Sequence, residues 1–205
     1  MLAQTNPNAM RTVVAATTAL SINAQGWCPQ ALARPSPNVG ARPASTDIAL
    51  LVIHNISLPM GAYGQDYVSA LFQNSLDCDA HLDFASLRDL KVSSHFLIRR
   101  DGQLLQYASC LQRAWHAGVS AFLGRQGCND FSIGVELEGC DTEPFEAAQY
   151  QTLTMLTQAL LHHYPITHIA GHSEIAPGRK TDPGPCFDWQ TYLAALPGWE
   201  SREAQ

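Results

Sequence analysis

The sequence predicts a single α/β domain in which a mixed central β-sheet is flanked by helices, and three observations carry that expectation. Ile48-Ala49-Leu50-Leu51-Val52-Ile53 is a short, continuous apolar run rich in branched residues, which is how a buried strand reads. Residues 94–107 read as a hairpin, with HFLIR and QLLQY placed about an Asp101-Gly102 turn. Residues 143–164 carry apolar side chains at helical spacing. Strands interleaved with helices, one pair of them a hairpin, call for a mixed sheet with helices packed on it. A chain of 205 residues can bury one good core, and neither a repeat nor a composition break suggests a second.

Taken in order, the first 25 residues are polar, rich in Ala and Thr, and without a periodic apolar face. They read as an extension to a domain of residues 26–205, expected to be disordered and to add little to the core. Met10-Arg11 followed by VVAATTAL faintly resembles a signal peptide, but threonines dilute its apolar stretch, and a tail or an upstream start codon is the preferred reading. From Trp27 to Thr46, Pro and small residues favour an extended segment laid over the surface. The first apolar strand then stops at His54-Asn55, where Ser57, Pro59 and Gly61 supply loop chemistry. DYVSALFQN (66–74) has the apolar spacing of a helix face. Phe131, Ile133, Val135 and Leu137 alternate as one face of a half-buried strand, which puts Glu136 on the other face. Glu143-Pro144 opens the long helix, with Tyr150, Leu153, Leu156, Leu160 and Leu161 as its apolar stripe. Thr167 to Ala170 forms a short strand, and Asp188 caps a last helix, WQTYLAAL.

Composition narrows the function class. Twelve basic residues against eighteen acidic ones give a net charge of −6, which argues against a nucleic-acid or anionic-membrane surface. No apolar run approaches a membrane span. The six cysteines (Cys28, Cys78, Cys110, Cys128, Cys140 and Cys186) form no CxxC pair and are expected to be reduced thiols. These features fit a cytoplasmic enzyme.

The densest chemistry lies in GHSEIAPGRKTDPGP, residues 171–185, where His172, Glu174, Lys180 and Asp182 share a run punctuated by Gly and Pro. That punctuation predicts an irregular loop rather than a helix or central strand. A histidine and a carboxylate on one loop can hold zinc if a third ligand arrives from elsewhere, and His54, at the expected end of its strand, is the best candidate. Two histidines and one aspartate leave a fourth position open for water, the pattern of a catalytic zinc site. For a base near it, Glu136 and Glu138 are nearly even candidates, since both fall on the same strand face.

Five motifs in order, HNISLP, SSHFLIRRDG, RAWHAG, CNDFSIGVELEG and GHSEIAPGRKTDPGP, resemble the AmpD family of 1,6-anhydro-N-acetylmuramyl-L-alanine amidases. That family is grouped with amidase-type phage lysozymes and peptidoglycan recognition proteins, and the resemblance runs from about Gly26 to about Leu196. It implies a fold of that type, Zn²⁺ as cofactor, and His54, His172 and Asp182 as its ligands. It favours Glu136 over Glu138 as the acid and base, and it assigns Lys180 to the developing oxyanion. His168, near His172, matches no ligand in the family pattern. Asn55 is expected to orient the metal shell, and Trp115 and His116 to face the substrate. Relatives carry arginine where this chain has Lys91 and Gly127; Lys91 and Arg125 are the basic groups left to hold the peptide stem.

The resemblance thus implies a zinc-dependent amidase that cleaves the muramyl–L-alanine amide of anhydro-muropeptides in cytoplasmic cell-wall recycling. The expected partner is the muropeptide alone, with no nucleic acid or membrane, and the chain is expected to be monomeric. Two rivals remain: a periplasmic amidase acting on polymeric peptidoglycan, and a recognition module that binds without hydrolysis.

Overall fold

The computed structural model describes residues 19–199, so most of the extension expected over residues 1–25 lies outside the described residues. The chain runs through short strands β1 (Leu32–Ala33) and β2 (Val39–Ala41) into β3 (Leu50–Ile56), then helix α1 (Tyr67–Phe72) and a 3₁₀ segment, Leu82–Leu87. The hairpin strands β4 (Phe96–Ile98) and β5 (Leu104–Gln106) follow, then β6 (Gln112–Ala114), β7 (Ala121–Phe122) and β8 (Arg125–Gln126). Next come β9 (Ser132–Glu138), the long helix α2 (Ala147–His163), β10 (His168–Gly171), the single turn α3 (His172–Ile175) and α4 (Trp189–Ala194).

Six strands form the central sheet in the order β1-β5-β4-β9-β3-β10. The hairpin pair β4/β5 is antiparallel, whereas β4/β9, β9/β3, β3/β10 and β1/β5 are parallel, so the sheet is mixed as expected. Gly102 closes the hairpin at φ +85°, a conformation that glycine adopts without a Cβ clash. Strand alternation then divides the sheet into two faces. Leu51 and Ile53 of β3, with Ile133, Val135 and Leu137 of β9, pack under Leu153, Leu156 and Leu160 of α2 and Tyr192 of α4. Each such side chain, fully withdrawn from water, contributes about 1.5–3 kcal/mol. On the other face, Leu50 and Val52 meet Ala170, Phe131 and Ile175, and a smaller cluster sets Leu97 and Leu105 against Val68, Leu71 and Phe72 of α1.

Several expectations are corrected. All seven residues of β9 are buried, so it is a central strand covered on both faces rather than half-buried. β3 continues two residues past His54, because Asn55 and Ile56 still pair with Leu137 and Glu138. The long helix starts at Ala147 and not at Glu143-Pro144. Glu146 is its N-cap, and its backbone N–H donates to Gln149 Oε1 at 3.0 Å, while Pro144 gives its carbonyl to Arg100. Asp188 caps α4 as expected, accepting from the Thr191 N–H at 2.9 Å. Leu20 and Ile22, placed by sequence in the non-contributing extension, pack against the principal core. All six cysteines are free thiols. No helix among the described residues is long and apolar enough to cross a membrane.

Candidate metal centre

His54 shares a face of β3 with Leu50 and Val52 by strand alternation, and parallel pairing sets it directly opposite Glu136 on β9. Neighbouring strands lie about 4.8 Å apart, so the sheet itself fixes the spacing between these two residues. β10, on the other side of β3, delivers His172 at its C-terminal end. The segment from 172 to 175 forms one helical turn instead of the irregular loop expected. Glu174 folds back to accept the Gly171 N–H, which commits it to that turn. The chain returns through Lys180 to Asp182, whose carbonyl accepts the Ser173 N–H at 2.9 Å.

These elements bring three donor atoms together. His54 Nδ1 lies 2.9 Å from Asp182 Oδ2 and 3.0 Å from His172 Nδ1, and His172 Nδ1 lies 3.0 Å from Asp182 Oδ2. His54, His172 and Asp182 are the one group of potential metal ligands of this kind among the described residues. Burial, outweighing the neighbouring Asp182 carboxylate, lowers the His54 pKa to about 4, so its imidazole is neutral at pH 7. His172 Nε2 lies 3.1 Å from the Ala117 carbonyl, which can only accept, so its Nδ1 is the free lone pair. Two imidazole nitrogens and one carboxylate oxygen suit a zinc ion, with room for a further ligand.

Glu136 is separated from Glu138 by its surroundings. Both are buried, but Glu138 accepts from the Gly64 N–H at 2.7 Å and the Arg100 N–H at 3.1 Å, which fixes both its oxygens in loop contacts. Glu136 feels burial and charge but no hydrogen bond. Burial pushes its carboxyl well above the ordinary range, Asp182 adds to that, and Lys180 opposes it. A desolvated carboxyl beside a metal triad can take up and release a proton near neutrality.

The cleft over these groups has a volume of about 240 Å³. It is lined by the apolar Leu58, Leu87, Leu90, Val92 and the half-buried Trp115, together with Glu136, the triad and the exposed Lys180. A second hollow of about 420 Å³, lined by Asp141, Thr142 and Thr181 among others, adjoins it across Asn55, Lys180 and Asp182. Asn55 donates to Asp141 Oδ1 at 2.7 Å and to the Pro183 carbonyl at 3.0 Å, which anchors the chain next to Asp182.

The remaining expected site residues fall elsewhere. His116 forms part of the cleft wall, but its Nδ1 lies 2.9 Å from His54 Nε2 and its Nε2 lies 3.1 Å from Ser132 Oγ. Neither ring nitrogen is left for a substrate. Arg125 stacks its guanidinium 4.0 Å over the Phe131 ring, at the start of β9 and away from the cleft. Lys91 is exposed between the cleft residues Leu90 and Val92. Gly127 sits at φ +72°, where an arginine would be strained. His168 packs its ring against Phe122, outside the triad. Sequence reading missed Ser132, Asn129 and Arg42, whose roles depend on contacts across the fold. Arg42 alone donates to the carbonyls of Cys110, Asn129, Asp130 and Ser132.

The family model Amidase_2, described as N-acetylmuramoyl-L-alanine amidase, matches residues 44–185. The chain is 51% identical over 174 residues to the 1,6-anhydro-N-acetylmuramyl-L-alanine amidase AmpD of Citrobacter freundii, covering 84% of this chain and 93% of that protein. A crystal structure of a selenomethionine AmpD derivative matches with a TM-score of 0.83 at 50% identity, over 85% of this chain and 98% of that one. The Escherichia coli amidase AmiD was solved in complex with the substrate anhydro-N-acetylmuramic acid-L-Ala-D-gamma-Glu-L-Lys. It matches with a TM-score of 0.53 at 28% identity, over 86% of this chain and 65% of that one.

Proposed function

The chain belongs to the N-acetylmuramoyl-L-alanine amidase family, and on that footing we propose that it hydrolyses 1,6-anhydro-muropeptides with zinc, as a cytoplasmic enzyme of cell-wall recycling. The bond cleaved is the amide between the lactyl group of N-acetylmuramic acid and L-alanine. The observation that carries this reading is the convergence of His54 Nδ1, His172 Nδ1 and Asp182 Oδ2, with Glu136 held opposite His54 across the sheet. Zinc held by those three atoms would supply a polarised amide carbonyl and a water acidified to a pKa of about 7.

The chain's own residues account for the proton transfers. Glu136 takes a proton from the attacking water and passes it to the departing nitrogen of L-alanine, leaving a free amine and a lactyl carboxylic acid, which gives up the water's second proton to solvent. Burial raises the affinity of Glu136 for the proton it carries, which suits it to take that proton up and then release it. Lys180 brings its ammonium to the oxygen on which charge develops, an effect of about 3 kcal/mol in comparable sites. Trp115 and the apolar wall beside it offer surface for the sugar and its lactyl methyl. With Gly127 in place of arginine and Arg125 turned onto Phe131, exposed Lys91, between the cleft residues Leu90 and Val92, is left to hold the stem's carboxylates.

The test is to incubate metal-loaded protein with purified anhydro-muropeptides and, separately, with intact sacculi, and to identify products by mass. Release of the stem peptide from anhydro-muropeptides is expected, together with about one zinc per chain and loss of activity on chelation. Full activity in metal-free protein refutes the zinc reading. Preferential release from sacculi replaces recycling with wall remodelling.

A further inference from the structure

Behind His54 runs a chain of hydrogen bonds whose direction can be worked out from its far end. Ser132 Oγ lies 2.6 Å from the Cys128 carbonyl oxygen, which can only accept, so the hydroxyl proton is directed there. The same oxygen lies 3.1 Å from His116 Nε2 and, with its own proton committed, must accept. His116 Nε2 therefore carries a proton. The ring is buried, and its two nitrogens meet only Ser132 and His54, neither of them an anion that would hold a second proton there, so its Nδ1 is a bare lone pair. That lone pair lies 2.9 Å from His54 Nε2, which must donate to it. His54 Nδ1 is then left without a proton, facing Asp182 and His172.

We propose that His116, fixed by Ser132, is a positioning residue that locks His54 in the tautomer offering Nδ1 to the metal. The inference rests on the metal reading above and departs from a substrate-facing role for His116. Three further observations support a built seat for this ring. Asn129 Oδ1 accepts the backbone N–H groups of both His116 and Ala117, at 3.1 and 2.8 Å. The His54 and His116 rings meet edge to face, with centroids 5.1 Å apart at 87°. Gly134 lies directly under the ring: a Cβ there would stand 2.6 Å from His116 Cγ and Nδ1, so only glycine leaves space. A partner on the nitrogen remote from the metal is the usual means of fixing a ligand histidine, although a neutral imidazole in that place is less common than a carboxylate or carbonyl.

The experiment reads the tautomers by long-range ¹H–¹⁵N NMR of the histidine rings, together with zinc affinity. In wild-type protein, His54 is expected to carry a slowly exchanging proton on Nε2, with and without zinc. His116→Leu removes the acceptor and should weaken zinc binding roughly 10- to 100-fold, with fast exchange of the His54 proton. His116→Asn, whose Oδ1 can accept in place of Nδ1, should recover most of the affinity. Ser132→Ala, which keeps the ring in place, should mix the His116 tautomers and weaken zinc binding by a smaller factor. It decides the matter if His116→Leu does not fold. A proton on His54 Nδ1 in metal-free protein overturns the proposal. So does wild-type zinc affinity in His116→Leu accompanied by a raised KM, since that returns His116 to the substrate. Failure of wild-type protein to bind zinc refutes the metal reading separately, because the metal-free spectrum still reports the His54 tautomer.

Discussion

Replacing each glutamate of β9 by glutamine separates two carboxylates that share a strand face but differ in what touches them. At Glu138, both oxygens accept backbone N–H groups, from Gly64 at 2.7 Å and from Arg100 at 3.1 Å. Glutamine keeps one acceptor and turns an NH₂ toward the other N–H, so one charge-assisted bond is lost and two donors face each other. A buried bond of that kind contributes about 1.5–3 kcal/mol, so Glu138→Gln should lower stability by about 2 kcal/mol or slightly more. Turnover should fall severalfold at most. At Glu136, no hydrogen bond is broken, and burial already disfavours the charge that glutamine removes. Glu136→Gln should therefore leave stability within about 1 kcal/mol of wild type, yet lower turnover by roughly 10² to 10⁴, the range for loss of a general base. Urea unfolding and hydrolysis of anhydro-muropeptides, both on zinc-loaded protein, measure the two effects side by side. If Glu138→Gln is the catalytically dead variant and remains stable, the assignment of the base fails.

Two other perturbations test the electrostatics. Lys180→Ala should lower turnover roughly 10²-fold with little change in KM, because its charge matters most as the oxyanion forms; a rise in KM alone would demote Lys180 to holding substrate. Metal-free protein should lose stability in acid through its buried histidines: burial sets His95 at about 3 and His54 at about 4, both below the ordinary value of 6.5. Between those values and 6.5 the unfolded chain binds protons that the native protein refuses, so each histidine lowers stability by about 1 kcal/mol per pH unit as pH falls, and the raised Glu136 carboxyl, protonated first in the native protein, offsets only one of them. A flat urea-unfolding profile between pH 6.5 and pH 4.5 would mean that the native protein already carries these charges.

Where a short stretch of sequence suffices to determine an outcome, the sequence was legible. The branched run at Leu50–Ile53, the Asp101-Gly102 turn and the alternation of Ile133, Val135 and Leu137 each encode a strand through neighbours one or two residues away. The Asp188 cap is equally local. The start of α2 was misplaced because Pro144 suits a first helical turn in general, whereas here its carbonyl serves Arg100, far away in sequence. Leu20 and Ile22 form no periodic stripe, so nothing local revealed that they reach the core. The candidate triad could be assembled from residue types and loop punctuation alone. The orientation of His116 could not, since it depends on Ser132, Cys128 and the absent side chain of Gly134. Arg125 is a similar case: its place beside Gly127 says nothing about the ring of Phe131 that it covers.

The register between β3 and β9 also shapes how the protein can be damaged. Within each strand, the residues facing the cleft alternate with those that fill the core beneath α2. Inserting or deleting one residue in either strand exchanges the two sets, burying a glutamate under the helix and turning valine into the cleft. Such lesions should destroy the molecule outright. Lys180 is exposed and Asp182 half-buried, on a segment held outside the sheet, so substitutions there should silence a chain that still accumulates in the cell. A collection of inactive mutants would therefore divide by position into those that are missing and those that are present but inert, with the boundary running between the strands and the returning loop.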